Sequence, residues 1–361
     1  MSSEQYTFLF VPDISGFTRF VNTTEISHSR HIISELLDII IGQDELGMTV
    51  SEIEGDAVLF YKKETPPISA IIKQAKKMFI AFHTHLRRYE SERVCRCGAC
   101  RTASGLSLKF IAHSGNIGMI DVAGRKKLHG ADNILVHKLM KNTIISSEYL
   151  LLTSGLAVKD FPKNTHQEFD WVKTEGGKTF YENYGEVAYK YISLEPLLHL
   201  IEDASSPNLP FNGAKSTIKR KIDAPVDSIY FNLTDLEMRV RWNPKIKKIS
   251  NHNEALDKTG TTHTCLIDNS NLEFKVLGRK EISDEIVYGE SIESFYLLKD
   301  ISRVFILRGH KEHTHIELRI DYKFKQPLLR FLSPLFKWML RIQSGLELRY
   351  LKTFSEKNKD S

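Results

Sequence analysis

The chain has 361 residues, of which 50 are Lys or Arg and 45 are Asp or Glu, for a formal net charge of +5. So mild a balance argues against a dedicated nucleic-acid binder, and 41% hydrophobic with 26% charged residues is ordinary globular composition. The N-terminus MSSEQYTF lacks a basic region followed by an apolar core, and no apolar run is long enough to span a bilayer, so a soluble cytoplasmic protein is expected. The length points to two domains. Three of the four cysteines are crowded together, a usage that fits a reducing compartment.

In chain order, Phe8, Leu9, Phe10 and Val11 form a continuous apolar run, as in a strand covered on both faces. Pro12 is expected to end that strand by removing a ladder donor, which leaves Asp13 at its C-terminal edge. Ser15 and Gly16 permit a tight turn into a helix, whose first free N–H groups suit a phosphate. His28 to Ile41 has helical spacing. Met48 to Ile53 and Ala57 to Tyr61 read as a hairpin around Glu54-Gly55-Asp56, and Ile68 to Tyr89 as a long helix. Leu106 to His113 alternates like a strand, Ser114-Gly115-Asn116 turns it into Ile117 to Val122, and Gly124 to His129 reads as a polar turn. Ala131 to Met140 is helical, and Tyr149 to Thr153 and Ala188 to Ile192 close the set. This is an α+β pattern with a mainly antiparallel sheet and helices on one side.

Residues 1–198 form the first expected domain, and 199–213, rich in Ser, Pro, Asn and Gly, an exposed linker. The second domain is expected over 214–355, with a polar tail at 356–361. It begins with a strand, Ser216 to Ile222, and a short helix, Pro225 to Leu233. Six strand-like runs follow between Ile246 and Phe324, then a long helical pattern from Leu328 to Phe354. A curved antiparallel sheet ending in a long helix predicts a helix-grip cup around an apolar ligand cavity.

Asp13 and Asp56 carry the first chemistry. If the opening strand pairs with the hairpin, both carboxylates reach one edge. Two such donors suit Mg²⁺ or Mn²⁺, completed by phosphate oxygens and water, and metals so held assist in-line displacement at phosphorus. The alternative is a helix cap at Asp13 and a turn residue at Asp56.

At these residues the chain resembles a known family. Asp13-Ile14-Ser15-Gly16-Phe17-Thr18 looks like the metal-binding strand-to-helix motif of class III adenylate and guanylate cyclases, and Glu52-Ile53-Glu54-Gly55-Asp56-Ala57 like their hairpin motif. The resemblance covers about the first 195 residues and implies a ferredoxin-like, cyclase-type sheet. It implies that Asp13, Asp56 and the Ile14 carbonyl hold the metals, and that the backbone of Ser15, Gly16, Phe17 and Thr18 holds the β- and γ-phosphates. Glu52 falls at the base-selecting position, where a carboxylate leans to guanine, and Lys127 at its partner position. A complete family site turns GTP or ATP into the cyclic monophosphate and pyrophosphate, across a homodimer. The third family motif departs. Ile134 stands where cyclases carry a transition-state Asn, and Lys138 where they carry Arg; Lys keeps the charge without the bidentate fork. Both a nucleotidyl cyclase and a catalytically degenerate signalling module are compatible with these residues.

Cys95, Cys97 and Cys100 are either zinc ligands or reduced thiols of a loop. His113, His129 and His137 have no nucleophile to pair with and are read as structural. The second domain resembles the START-like (SRPBCC) superfamily over about Lys215 to Phe354, on Ile222-Asp223-Ala224-Pro225-Val226, the Trp242-Asn243-Pro244 bend, Gly260-Thr261-Thr262-His263 and the final helix. That implies a cavity for a hydrophobic small molecule or lipid. The apolar residues from Leu328 to Ile342, with Arg330, Lys337 and Arg341 between them, are read as the buried face of the lid helix rather than a membrane-docking face.

Overall fold

The apolar run Phe8–Val11 lies inside β1 (Tyr6–Ser15), a central strand bonded to β3 on one side and β4 on the other. The computed structural model describes residues 6–22, 26–92, 103–156, 167–201, 209, 214–251, 259–282 and 284–358. Cys95, Cys97 and Cys100 lie outside these residues. The chain divides into two compact units, Met1–Arg87 with Thr102–Asp203, and Arg88–Arg101 with Ala204–Ser361.

β1 does not stop at Pro12. Its pairing with β4 runs unbroken from Tyr6 to Ser15. The ladder to β3 is interrupted between Phe10 and Asp13 instead, where the missing N–H is expected to break it. The first unit continues with α1 (Phe17–Asn22), α2 (Ile26–Gly42), β2 (Thr49–Glu54), β3 (Ala57–Lys62), α3 (Ile68–Glu92), β4 (Ser107–Asn116), β5 (Gly118–Val122), β6 (Arg125–His129), α4 (Ala131–Leu139), β7 (Tyr149–Thr153), β8 (Thr174–Tyr181) and β9 (Gly185–Ser193). The sheet order is β2-β3-β1-β4-β7-β9-β8, antiparallel except for β4–β7. Leu9 and Val11 pack with Leu135, Val136 and Leu139 of α4. Phe8 and Phe10 point the other way and are equally buried, so both faces of β1 are covered, not one. Residues 125–129, expected as a turn, pair with β5 in a small separate sheet. Their run of Arg125, Lys126 and Lys127 hid the alternation.

The second unit holds β10 (Ser216–Ile222), α5 (Val226–Thr234), α6 (Leu236–Trp242), β11 (Ile246–Asn251), β12 (Thr262–Ile267), β13 (Ser270–Ile282), β14 (Glu285–Phe295), β15 (Leu298–His310), β16 (His313–Phe324) and α7 (Ser333–Lys357). Its strands form one antiparallel sheet in the order β10-β16-β15-β14-β13-β12-β11. Leu340, Leu348 and Leu351 of α7 enter one core with Ile222, Leu318 and Ile320 of the sheet. The outward side of α7 corrects the reading of its stripe: Leu335 is 56% exposed and Trp338 62%. Helical spacing shows that a stripe exists, while only packing shows which side is covered. Among the described residues no helix is long and apolar enough to cross a membrane.

Candidate functional site

The end of β1 is built by two ladders meeting. Asp13 is opposite Ala57 on β3 and Lys109 on β4, and the Ile14 N–H donates to the Asp56 carbonyl at 3.1 Å. Asp13 and Asp56 therefore lie at one edge, close enough for the charge of Asp13 to act on Asp56. Asp13 is 8% exposed. Burial pushes its carboxyl up, although the Lys109 ammonium pulls it down. Asp56 is pushed up to about 6, first by burial and then by the charge of Asp13. Gly16 makes the turn beyond the strand at φ +88°, and a Cβ there would come 3.2 Å from the Gly105 carbonyl oxygen. The helix after it, α1, has only six residues, so any anion at this turn would depend on individual backbone N–H groups more than on a long helix dipole.

Lys109 is the residue that reading the motifs missed. Its Nζ lies 3.1 Å from Asp13 Oδ2 and donates to the Met140 carbonyl at 3.0 Å. Its signal was a lone ammonium within the apolar strand SLKFIA. The donor set fits a hard divalent cation: two neighbouring carboxylates, Asp56 raised by the charge of Asp13, with the Lys109 ammonium beside them.

Glu52 follows a bulge in the β2–β3 ladder between Val50 and Glu52, the kind of irregularity that re-aims a side chain. Its Oε2 lies 3.3 Å from Lys127 Nζ, so the expected base-site pair is in contact. Its Oε1 is buried and has no hydrogen-bond partner among the described residues. His137 Nδ1 lies 3.2 Å from Glu54 Oε2 while its Nε2 stays 4.0 Å from Glu52 Oε1. On α4, Ile134 is 52% exposed and offers no donor, and Lys138 is half-buried. Asn133 does not substitute for the missing Asn: it is turned inward, 7% exposed, with its Nδ2 3.5 Å from the Leu128 carbonyl. His113 is buried, with Nδ1 2.7 Å from Thr153 Oγ1 and Nε2 3.2 Å from Asp132 Oδ1. His129 lies on β6 opposite Gly118.

The second unit encloses a cavity of about 590 Å³ between the sheet and α7. Ile246, Leu272, Phe274, Phe336, Met339 and Leu340 are among its apolar walls. One wall carries buried charge. Glu290 is fully buried, with Oε2 2.8 Å from Arg239 and Oε1 3.1 Å from Arg303, and Arg303 also pairs with Glu347. The adjacent guanidinium groups outweigh desolvation and hold Glu290 at about 2. His263 is driven down to about 4 by burial and by Arg239.

A family described as "Protein of unknown function (DUF2652)" matches residues 33–149. An uncharacterized protein of Mycobacterium tuberculosis, Rv2561/Rv2562, is 31% identical over 125 residues, 35% of this chain and 58% of that protein, so the match spans less than two thirds of the relative's length. Among solved structures, the guanylate cyclase domain of RhGC from Catenaria anguillulae in complex with GTP is 13% identical, with 53% of this chain and 97% of that chain covered and a TM-score of 0.36. A START superfamily protein from Mycobacterium smegmatis is 14% identical, with 39% of this chain and 96% of that chain covered and a TM-score of 0.31.

Proposed function

We propose that the first unit binds a purine nucleoside triphosphate, GTP in preference to ATP, together with Mg²⁺ or Mn²⁺, and turns it over poorly or not at all. The observation that carries this reading is the placement of Asp13 beside Asp56, directly ahead of the Gly16 turn. Asp13, Asp56 and the Ile14 carbonyl would hold the metal, and the backbone of Ser15 to Thr18 would receive the β- and γ-phosphates. The ion, when bound, balances phosphate charge and activates the attacking hydroxyl.

Glu52 would read the base. Lys127 holds one carboxylate oxygen and leaves the other, 4.0 Å from His137 Nε2, without a hydrogen bond among the described residues, which suits the guanine N1–H and exocyclic amine. Cyclisation to the cyclic monophosphate and pyrophosphate also needs donors at the phosphorus. Ile134 supplies none and Lys138 only a point charge; losing one such donor costs on the order of a hundredfold or more in rate. The homodimer this reading requires is supported by exposed apolar side chains on the same unit, among them Ile53 at 51%, Val122 at 60% and Ile134 at 52%.

The test is equilibrium binding of a non-hydrolysable GTP analogue to the full chain with and without Mn²⁺, beside product analysis with GTP and ATP. Metal-dependent binding that Asp13→Asn and Asp56→Asn both abolish is expected, with little cyclic product. Binding indifferent to metal and to both substitutions overturns the reading.

A second reading concerns the second unit, where the 590 Å³ cavity favours a hydrophobic ligand, small molecule or lipid. Ser344 lines that cavity and is 5% exposed. Native mass spectrometry should find apolar ligand copurified with the wild-type chain and none with Ser344→Trp; an empty wild-type chain sinks this reading.

A further inference from the structure

Three histidines crowd the tip of the β15–β16 hairpin. Only Lys311 and Glu312 separate the two strands, so His310 and His313 are direct ladder partners, and His315, two residues along β16, stands on the same face. The ring centroids lie 5.1 Å apart for His310–His313, 5.5 Å for His310–His315 and 5.3 Å for His313–His315. One nitrogen from each ring falls within 4.8 Å of the others.

Lys221 is the β10 partner of His315 and lies 3.4 Å from Asp223 Oδ1. Arg308, the β15 partner of His315, is engaged by Glu285 and Glu317. The cations beside the cluster thus already have carboxylate partners.

We propose that His310, His313 and His315 bind a late first-row divalent transition metal, with Zn²⁺ as the reference ion, and with water or the Asp223 carboxylate in the fourth position. Zn–N bonds of about 2.0–2.1 Å require nitrogens roughly 3.3–3.5 Å apart, a closure from the 4.8 Å within which the three atoms now lie. A nitrogen donor set selects Zn²⁺, Cu²⁺, Ni²⁺ or Co²⁺ over Mg²⁺ and Mn²⁺, so this site would not draw on the metal proposed for Asp13 and Asp56. Thr314, between the ligands, donates its hydroxyl to the Ala224 carbonyl at 2.9 Å and already ties the hairpin to the turn ahead of α5.

The test is metal analysis and Zn²⁺ titration of the chelator-stripped full chain. Because Cys95, Cys97, Cys100 and the Glu52–Glu54–His137 cluster also offer ligands, it is run in a C95S/C97S/C100S background. One equivalent of Zn²⁺ is expected there, weakened by at least about tenfold in H310A/H315A and unaffected by E54Q. Co²⁺ in its place should give visible d–d bands without a thiolate charge-transfer band. The proposal is overturned if no Zn²⁺ binds, if H310A/H315A binds as tightly as its parent, or if E54Q removes the equivalent. Circular dichroism establishes that H310A/H315A is folded, and H313N is the conservative second variant.

A separate observation lies on the outer side of α7 and the turn before it. Leu328, Phe331, Leu335, Trp338 and Ile342 are exposed by 85, 74, 56, 62 and 45%. Their alternating spacings of three and four residues make one stripe. The opposite side supplies Phe336, Met339 and Leu340 to the cavity wall. From Tyr322 to Leu346 there is no Asp or Glu, while Lys323, Lys325, Arg330, Lys337 and Arg341 are all exposed. An apolar stripe containing Trp and interleaved with cations, of which Lys323 pairs with Asp300 at 3.2 Å, complements an anionic lipid surface. We infer that this helix lies flat in the headgroup region of an anionic bilayer.

Vesicle flotation of the full chain tests it. Binding is expected to phosphatidylcholine–phosphatidylglycerol vesicles, much less to phosphatidylcholine alone, and weaker by about tenfold or more in both F331A/W338A and K337A/R341A. The inference falls if wild type ignores anionic vesicles or if both variants bind like wild type. It also falls if the stripe instead closes a second copy, seen as a dimer that F331A/W338A dissociates without any vesicle binding.

Discussion

Ile14 donates its backbone N–H to the Asp56 carbonyl at 3.1 Å, and that bond brings the hairpin carboxylate beside Asp13. Two acids 43 residues apart in the chain become one electrostatic unit, with Lys109 as its resident cation.

Asp56 should make the metal-free first unit less stable as pH rises. Its folded value is about 6 against an ordinary 3.8, so the folded state binds its proton more tightly than the unfolded chain does. That contribution is complete below about 3.8 and lost as pH rises to about 6. Asp56→Asn should therefore melt higher than wild type at about pH 8, with the gap closing toward about pH 4. Thermal scans in chelator check this; an unchanged gap across that range refutes it.

Lys109→Met should destabilise the first unit, because Asp13 loses its ammonium at a site 8% exposed. Removing one partner of a buried pair costs about 3–5 kcal/mol, and this partly accessible pair belongs at the low end. Mn²⁺ should recover more stability in the variant than in wild type, since the ion meets an uncompensated carboxylate. Equal Mn²⁺-induced melting shifts in the two proteins would place the ion elsewhere.

Substituting Glu52 by Ala should weaken GTP-analogue binding by roughly tenfold or more and leave ATP-analogue binding nearly unchanged. The basis is the loss of a carboxylate that accepts from both the guanine N1–H and its exocyclic amine, where adenine offers one donor beside an acceptor, with charge-assisted bonds contributing about 1.5–3 kcal/mol. Competition binding measures it; parallel losses for both nucleotides would remove Glu52 from base selection.

Glu290→Gln should cost the second unit about 3–5 kcal/mol, because Arg239 and Arg303 are left buried without their shared anion. With its folded value at about 2 against an ordinary 4.5, wild-type Glu290 contributes stability that is complete above about 4.5 and lost as pH falls to about 2. Denaturant titrations should show the deficit at neutral pH and a smaller one in acid; a variant as stable as wild type at neutral pH contradicts the assignment.

Much of the site was legible because its parts are local. A strand followed by a tight turn needs a glycine free to adopt positive φ, and Gly16 and Gly55 both do. Asp13, Ser15 and Gly16 lie within four residues, and Glu52 and Asp56 within one hairpin. Lys109 and the buried Arg239–Glu290–Arg303 group were not legible, because each partner comes from a different part of the chain.

Periodicity and turn chemistry were thus enough for most of the element order and the two carboxylates, since each depends on backbone preferences a few residues long, while Glu52 entered as a candidate base reader only through the resemblance of its hairpin motif. Tertiary pairing decided the rest. It carried β1 past Pro12 by placing the missing N–H at a gap in one ladder while the other continued. It set Lys109 on Asp13 and turned Asn133 inward while leaving Ile134 exposed. It also left the Leu328–Ile342 stripe uncovered, because spacing along a helix defines a face and only the surfaces packed against it determine whether water reaches that face.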